Sequence, residues 1–313
     1  MTTRMGKTPS VRQLEYLVAV SEARHFRRAA ERVGVSQPTL SAQLQALEGC
    51  LGVQLVERSR AKVIMTPVGN EIVSRARTVL RDIQGIVELA KHGQNLLSGA
   101  VRLGTIQSLG PYLLPHILPE LHKRYPDLRV HVREAVPRAL LGGLEDGSFD
   151  LLLFPLPVRA ADLADVRLFR EPLLTVAPRS HPMAKKDSIE RSDLKGEIIL
   201  ALEQGHRLHD QVRDLCDEYG ASLSLDYEGT SLDTLRLMVG MGMGVSFLPA
   251  LYVRSEVAQD RQVVARPMRM RPPTRTIGMV WRRHSGREEE FLALAALIRS
   301  ILKSNVPEVM VLE

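Results

Sequence analysis

The sequence predicts an α/β protein in three parts: a small helical head with a two-strand wing, one long helix, and a body of two α/β lobes. Three observations predict it. Residues 11–53 carry apolar residues at helical spacing in three short runs, followed by two short extended segments. Over residues 68–92, apolar residues recur at near-heptad spacing. From Val101 onward, apolar extended runs alternate with amphipathic helical ones, the pattern of parallel sheets covered on both faces.

In the head, Leu14, Leu17 and Val18 share one face of the first helix. The second helix, 25–32, turns Phe26, Ala29, Ala30 and Val33 inward, and Gly34 ends it in a left-handed cap. Ser36 caps the third helix, and Pro38 fits its first turn, where a missing N–H is harmless. Leu40, Leu44, Leu47 and Leu51 form its inner stripe, and Gly52 closes it. Residues 53–66, VQLVERSRAKVIMT, read as two short strands about a basic turn at 59–62. Thr66-Pro67 then opens the long helix, with apolar residues at 68, 72, 76, 79/80, 83, 86/87 and 90. That seam needs a cover. The same helix of a second copy fits it, and packing on its own domain is the other solution.

In the body, VRLGTI, LRVHVREA and DLLLFPLP read as strands, with helices over PYLLPHILPELHKRYP and RALLGGLEDGS between them. Around 165–175 the chain passes to a second unit holding EIILALE, a helix over 206–219, LSLDYEGT and LDTLRLMVGMGMG. TRTIGMVWRR returns to the first unit, and EEEFLALAALIRSILK is the last helix. Two lobes joined by two crossovers enclose a cleft.

The 313 residues are 44% hydrophobic and 25% charged, the balance of a soluble globular protein. No apolar run reaches the ~18 residues of a membrane span, and MTTRMGKTPS has no apolar leader core, so the expected location is the cytoplasm, with no membrane partner. Cys50 and Cys216 are too few and too distant to frame a disulfide fold. The charge is uneven. Residues 1–66 hold ten Lys/Arg against five acids, while residues 98–313 balance to zero. A basic head on a neutral body points to a polyanion partner for the head and another task for the body.

The third helix offers Gln37, Thr39, Ser41 and Gln43 at its polar N-terminal end. Glutamine pairs bidentately with adenine, and serine or threonine reaches bases or phosphates. The positive end of the helix favours phosphate. Arg58, Arg60 and Lys62 on the wing suit the minor groove or the backbone. Together these describe a winged helix-turn-helix for double-stranded DNA. A helical hairpin packed on another protein is the blander alternative.

The run HFRRAAERVGVSQPTLSAQLQALEGCLGVQLVERSRAKVIMTPVGNE resembles the DNA-binding head of LysR-type transcriptional regulators, and the linker and two-lobed body extend the likeness over nearly the whole chain. The resemblance implies a periplasmic-binding-protein-like effector domain. It also implies that Gln37, Pro38, Ser41 and Arg58 approach DNA. Many members carry arginine where this chain has Ala42. RHFRRAA, SQPTLSAQ, GPYLLPHILPELH and LEQGHRLHDQ narrow the likeness to the peroxide-sensing members. In those, a cysteine after a Gly-His pair is oxidised, and a second cysteine nine residues on resolves it as a disulfide. Here Arg207 follows Gly205-His206, and Cys216 keeps the resolving position. Arginine forms no sulfenic acid. Ser108 and Pro137 stand where peroxide-holding residues are implied.

Ser108, His206, Arg207, Thr230 and Ser231 are therefore the candidate effector residues, three helix starts with hydroxyls and a cation, suited to a small anion. An Arg207 paired with a nearby acid, beside a vestigial pocket, is the competing reading. Cys216, among Val212, Leu215 and Tyr219, is expected to be a buried inert thiol, with a redox role as the alternative reading. His206-x-x-His209 is too sparse for a metal site, and no cofactor is expected. An enzyme is disfavoured, since no Gly-x-Ser-x-Gly elbow, phosphate-cradling loop or paired carboxylate site stands out. A solute-binding protein is disfavoured by the basic head. The expected layout is a head at 1–66, a linker at 67–97, lobe I at 98–170 and 272–303, lobe II at 171–271, and a tail at 304–313. Expected partners are promoter DNA, further copies of the chain as a dimer or tetramer, RNA polymerase if it activates, and a small anionic effector.

Overall fold

The computed structural model describes residues 8–58, 63–91, 97 and 99–313. The chain divides into two compact units, Met1–Gln94 and Asn95–Glu313.

The first unit opens with α1 (Val11–Ala23), capped by a reciprocal pair in which Ser10 accepts from the Gln13 amide and Gln13 accepts from the Ser10 amide. Then follow α2 (Phe26–Arg32) and α3 (Gln37–Leu51). His25 caps α2 through its ring Nδ1, which accepts from the Arg28 amide. Ser36 caps α3, accepting from the Thr39 amide at 3.3 Å. Gly34 and Gly52 take the left-handed conformation that ends α2 and α3. The core collects Tyr16, Leu17 and Val20 from α1, Ala29 and Ala30 from α2, and Leu40, Leu44 and Leu47 from α3. Leu14 and Val18 are only half-buried, so the inner face of α1 lies a residue or two from the one the spacing indicates.

The wing is β1 (Val56–Arg58) paired antiparallel with β2 (Val63–Met65). Glu48 of α3 anchors it, its Oε1 accepting from the Leu55 and Val56 amides at 2.9 and 3.2 Å. Arg58 ends β1; Arg60 and Lys62, with the rest of the 59–62 turn, lie outside the described residues.

Next comes α4 (Pro67–Lys91). Thr66 Oγ1 accepts from the Gly69 amide at 3.0 Å and fixes its first turn. Gly69 is obligatory there, since a Cβ would stand 2.2 Å from the Leu55 carbonyl oxygen. The apolar seam of α4 splits. Val73 is buried in the head core, with Ile72 packed on it, and Arg77 pairs with Glu22 of α1. Farther along, Val79 is 43% and Ile86 65% exposed. The first half of the helix thus packs on its own head, while Val79 and Ile86 of the seam are exposed.

The second unit begins with β3 (Gly99–Thr105), α5 (Gly110–Arg124), β4 (Leu128–Glu134), α6 (Pro137–Glu145) and β5 (Leu151–Leu156). The 16-residue β6 (Leu163–Pro178) carries the chain into the other lobe. There lie β7 (Ile198–Leu202), α7 (Arg207–Tyr219), β8 (Ser222–Gly229), α8 (Leu232–Gly240), β9 (Val245–Pro249), the short α9 (Ala250–Tyr252) and β10 (Val263–Arg266). β11 (Thr274–Arg282) returns, α10 (Glu288–Asn305) covers lobe I, and β12 (Met310–Val311) pairs with β6.

The strand order is β4-β3-β5-β11-β6-β9-β7-β8, with β10 and β12 also on β6. β3 is parallel to β4 and β5, and β7 is parallel to β8 and β9, as the alternating pattern requires. The middle is antiparallel instead, because the chain must run out along β6 and back along β11. Each lobe has its own core. Phe154, Trp281 and Phe291 lie in lobe I, and Ile199, Phe247 and Tyr252 in lobe II. Tyr112 of α5 packs on both, its ring edge-on to Tyr252 at 5.0 Å. Burying each such side chain contributes roughly 1.5–3 kcal/mol, so each lobe has a core of its own to hold its shape, and β6 and β11 join the two in one sheet.

Candidate functional site

In the head, the N-terminal turn of α3 is held from beneath and open above. Leu40, Leu44 and Leu47 are 0% exposed, which fixes the helix on α1 and α2. Gln37, Pro38, Thr39 and Gln43 are exposed, and Ser41 is half-buried. Thr39 Oγ1 shares a hydrogen bond with the Ser36 hydroxyl at 2.8 Å, so it also serves the cap. Gln43 Oε1 accepts from Gln13 Nε2 at 3.3 Å, which orients its amide and brings α1 to the same edge. Gln13 carries no sequence signal for this role beyond its place in the α1 cap. An exposed helix N-terminus with amides and hydroxyls on a rigid base matches the chemistry of phosphate and base contact.

In the body, a cavity of about 20 Å³ lies between the lobes. That is room for roughly one water-sized group. Ser108 and Pro137 wall it from lobe I, His206, Arg207 and Gln211 from lobe II, and Arg275 from the β11 crossover. Thr230 and Ser231 do not line it. Ser231 caps α8, accepting from the Thr234 amide at 3.2 Å, and Thr230 is exposed.

Ser108 is held by a residue that sequence reasoning missed. Arg275 donates from Nη1 to Ser108 Oγ at 2.9 Å and from Nη2 to the Ser108 carbonyl at 2.8 Å. Its Nε donates to Glu171 Oε2 at 2.7 Å, and Glu171 Oε1 accepts from the Leu251 amide at 2.9 Å. All three side chains are buried. A guanidinium only donates, so the Ser108 oxygen accepts and its proton remains for another partner.

His206 precedes α7 as its N-cap and is buried, and its Nε2 has no hydrogen-bond partner among the described residues. Glu203 Oε1 stands 3.7 Å away, beyond hydrogen-bond reach. Arg207 opens α7 and pairs with no acid among the described residues. Its Nη2 donates to the Pro157 carbonyl at 2.5 Å, and one turn on Gln211 Nε2 donates to the Thr274 carbonyl at 2.9 Å. Among the described residues, no group of three or more His, Cys, Asp or Glu is placed to hold a metal ion, and no helix is long and apolar enough to cross a membrane.

Residues 11–70 match the family "Bacterial regulatory helix-turn-helix protein, lysR family", and residues 94–303 match "LysR substrate binding domain". The chain belongs to the LysR family of regulators. Within that family it is OxyR-like. It is 42% identical over 301 residues to the "DNA-binding transcriptional dual regulator OxyR" of Escherichia coli K12, covering 96% of this chain and 98% of that protein. Full-length OxyR of Pseudomonas aeruginosa, solved as a cysteine-to-aspartate variant, superposes with a TM-score of 0.79 at 38% identity, covering 94% of this chain and 95% of that one. A hydrogen-peroxide-bound OxyR variant of Corynebacterium glutamicum gives 0.67 at 33% identity, covering 97% and 95%. The chain is thus an OxyR-like, LysR-type DNA-binding transcriptional regulator.

Neither Cys50 of the head nor Cys216 of the body is in a disulfide. Cys216 is buried in α7, where burial, aided by the charge of Asp217, pushes its thiol up to about 11. Nine helical residues put it roughly 13 Å along the helix from Arg207.

Proposed function

We propose that this regulator seats α3 in the major groove of promoter DNA, with Gln37, Pro38, Thr39, Ser41 and Gln43 at the base edges and backbone. Arg58, Arg60 and Lys62 of the wing bind the adjoining backbone or minor groove. The exposed N-terminal turn of α3, locked from below by three buried leucines, carries this reading. The proposed layout keeps the head at 1–66 and the linker at 67–97, followed by lobe I at 98–170 and 272–303 and lobe II at 171–271. Copies pair through the α4 seam, where Val79 and Ile86 are exposed, and pairs assemble further through the body. The protein acts where the DNA is, in the cytoplasm, and contacts RNA polymerase at promoters it activates. It performs no catalysis.

The inter-lobe pocket receives the signal. Arg207 stands at the position where the family resemblance puts the oxidisable cysteine, and Cys216 is buried and largely protonated. The signal is therefore not a disulfide. A small anion is the effector class favoured by an arginine, a buried histidine and a helix N-terminus at one cavity. A footprinting assay on the upstream region of its own gene, with and without peroxide, tests both parts. Protection of a two-half-site region supports the DNA reading, and its absence overturns that reading. A peroxide-dependent footprint that vanishes in Cys216→Ser would overturn the oxidant-independent part.

A further inference from the structure

We infer that Arg207 and Gln211 form a two-point clasp that fastens lobe II to lobe I across the pocket and sets the lobe geometry without any covalent signal. The inference rests on the regulator reading above and concerns how that pocket is regulated. The two side chains sit four residues apart on α7, and so on one helix face. Their acceptors are the carbonyls of Pro157 and Thr274, at 2.5 and 2.9 Å. Those carbonyls lie at one end of the β5–β11 ladder, where Leu156 pairs with Thr276. The same end holds Arg275, which grips Ser108 on the opposite wall. One face of α7 is thus tied to the paired ends of β5 and β11, where the chain leaves lobe I and re-enters it.

The chemistry of the clasp decides what it answers to. An arginine keeps its charge at every physiological pH, glutamine does not titrate, and both acceptors are neutral carbonyls. Neither peroxide nor mild acid changes any of these four groups. An anion entering beside Arg207 does, because a carboxylate-like oxygen is a stronger acceptor for a guanidinium than a peptide carbonyl. Occupancy then draws Arg207 from Pro157 and loosens one of the two ties.

Hydrogen exchange of the full-length protein tests the clasp directly. Arg207→Ala is expected to speed exchange in segments 155–160 and 206–212 by about tenfold, the scale of one charge-assisted hydrogen bond. Arg207→Ala with Gln211→Ala speeds it further, while the β7 amides and the melting temperature hold. Arg207→Lys, which keeps a charged donor, restores part of the protection. Unchanged exchange in the folded double variant would overturn the clasp. Peroxide added to the unaltered protein is expected to leave both segments as they were, and faster exchange there would also overturn it. Footprints made in parallel separate the two readings. Failure of the unaltered protein to protect its upstream region counts against the regulator reading alone, since the exchange comparison still decides the clasp.

Discussion

Arg275 grips both oxygens of Ser108, hydroxyl and carbonyl, at 2.9 and 2.8 Å, while Glu171 neutralises it from behind at 2.7 Å. The two charged residues come from the two crossover strands, β6 and β11, and the serine from the turn into α5. The charge pair is fully desolvated, which makes it sensitive to the loss of one member and tolerant of the loss of both.

Glu171→Ala leaves a buried guanidinium uncompensated and is expected to cost about 3–5 kcal/mol. The double change Glu171→Ala with Arg275→Met is expected to recover much of that loss, because no charge is left buried. Chemical denaturation of the original protein and the two variants measures it. A Glu171→Ala protein as stable as the original would show that the pair is solvated.

Asp150 is expected to set the acid limit of lobe I. Burial pushes its carboxyl up, but hydrogen bonds and charge from Arg102, with Arg287 nearby, outweigh burial and hold it below the ordinary 3.8. A carboxyl lowered on folding stabilises fully above its ordinary value and loses that contribution as pH falls through its folded value. Melting temperature is therefore expected to drop below about pH 4, and Asp150→Asn is expected to flatten that acid limb while lowering stability near neutrality. An acid limb that survives the substitution would assign it to another group.

Cys216 is expected to resist chemistry. With its thiol pushed up to about 11, only about one molecule in ten thousand is thiolate at pH 7. Alkylation followed by mass spectrometry is expected to run at least a hundredfold slower than for an exposed thiol. The raised value destabilises only above the ordinary 9.0, where the unfolded thiol ionises first. Rapid labelling at neutral pH would mean that α7 opens.

Quite different parts of the molecule were legible in the sequence. The head reads well because its determinants are local. Ser36, Gly34, Gly52 and the Leu40–Leu44–Leu47 stripe act within a few residues of themselves. The two-lobe layout is also readable, since the long run through β6 and the return through β11 interrupt the alternation of strand and helix. The pocket is half legible. Ser108, His206 and Arg207 meet there, whereas Thr230 and Ser231 serve or border the cap of α8. Glu171 and Arg275 were hidden because they lie 104 residues apart in chain segments that read only as strand. The split of the α4 seam was hidden too, since periodicity marks a face but not what covers which part of it.

The central claim is that the head binds promoter DNA through α3 and the wing, and a salt titration of full-length protein on its own upstream region tests it most directly. The logarithm of affinity is expected to fall linearly with the logarithm of salt. Arg58→Ala is expected to weaken binding to all sequences alike and to reduce that slope by about one, whereas Gln43→Ala is expected to lose about 1–3 kcal/mol of discrimination with little change in slope. Binding that ignores salt, and is unmoved by either substitution, would contradict the account.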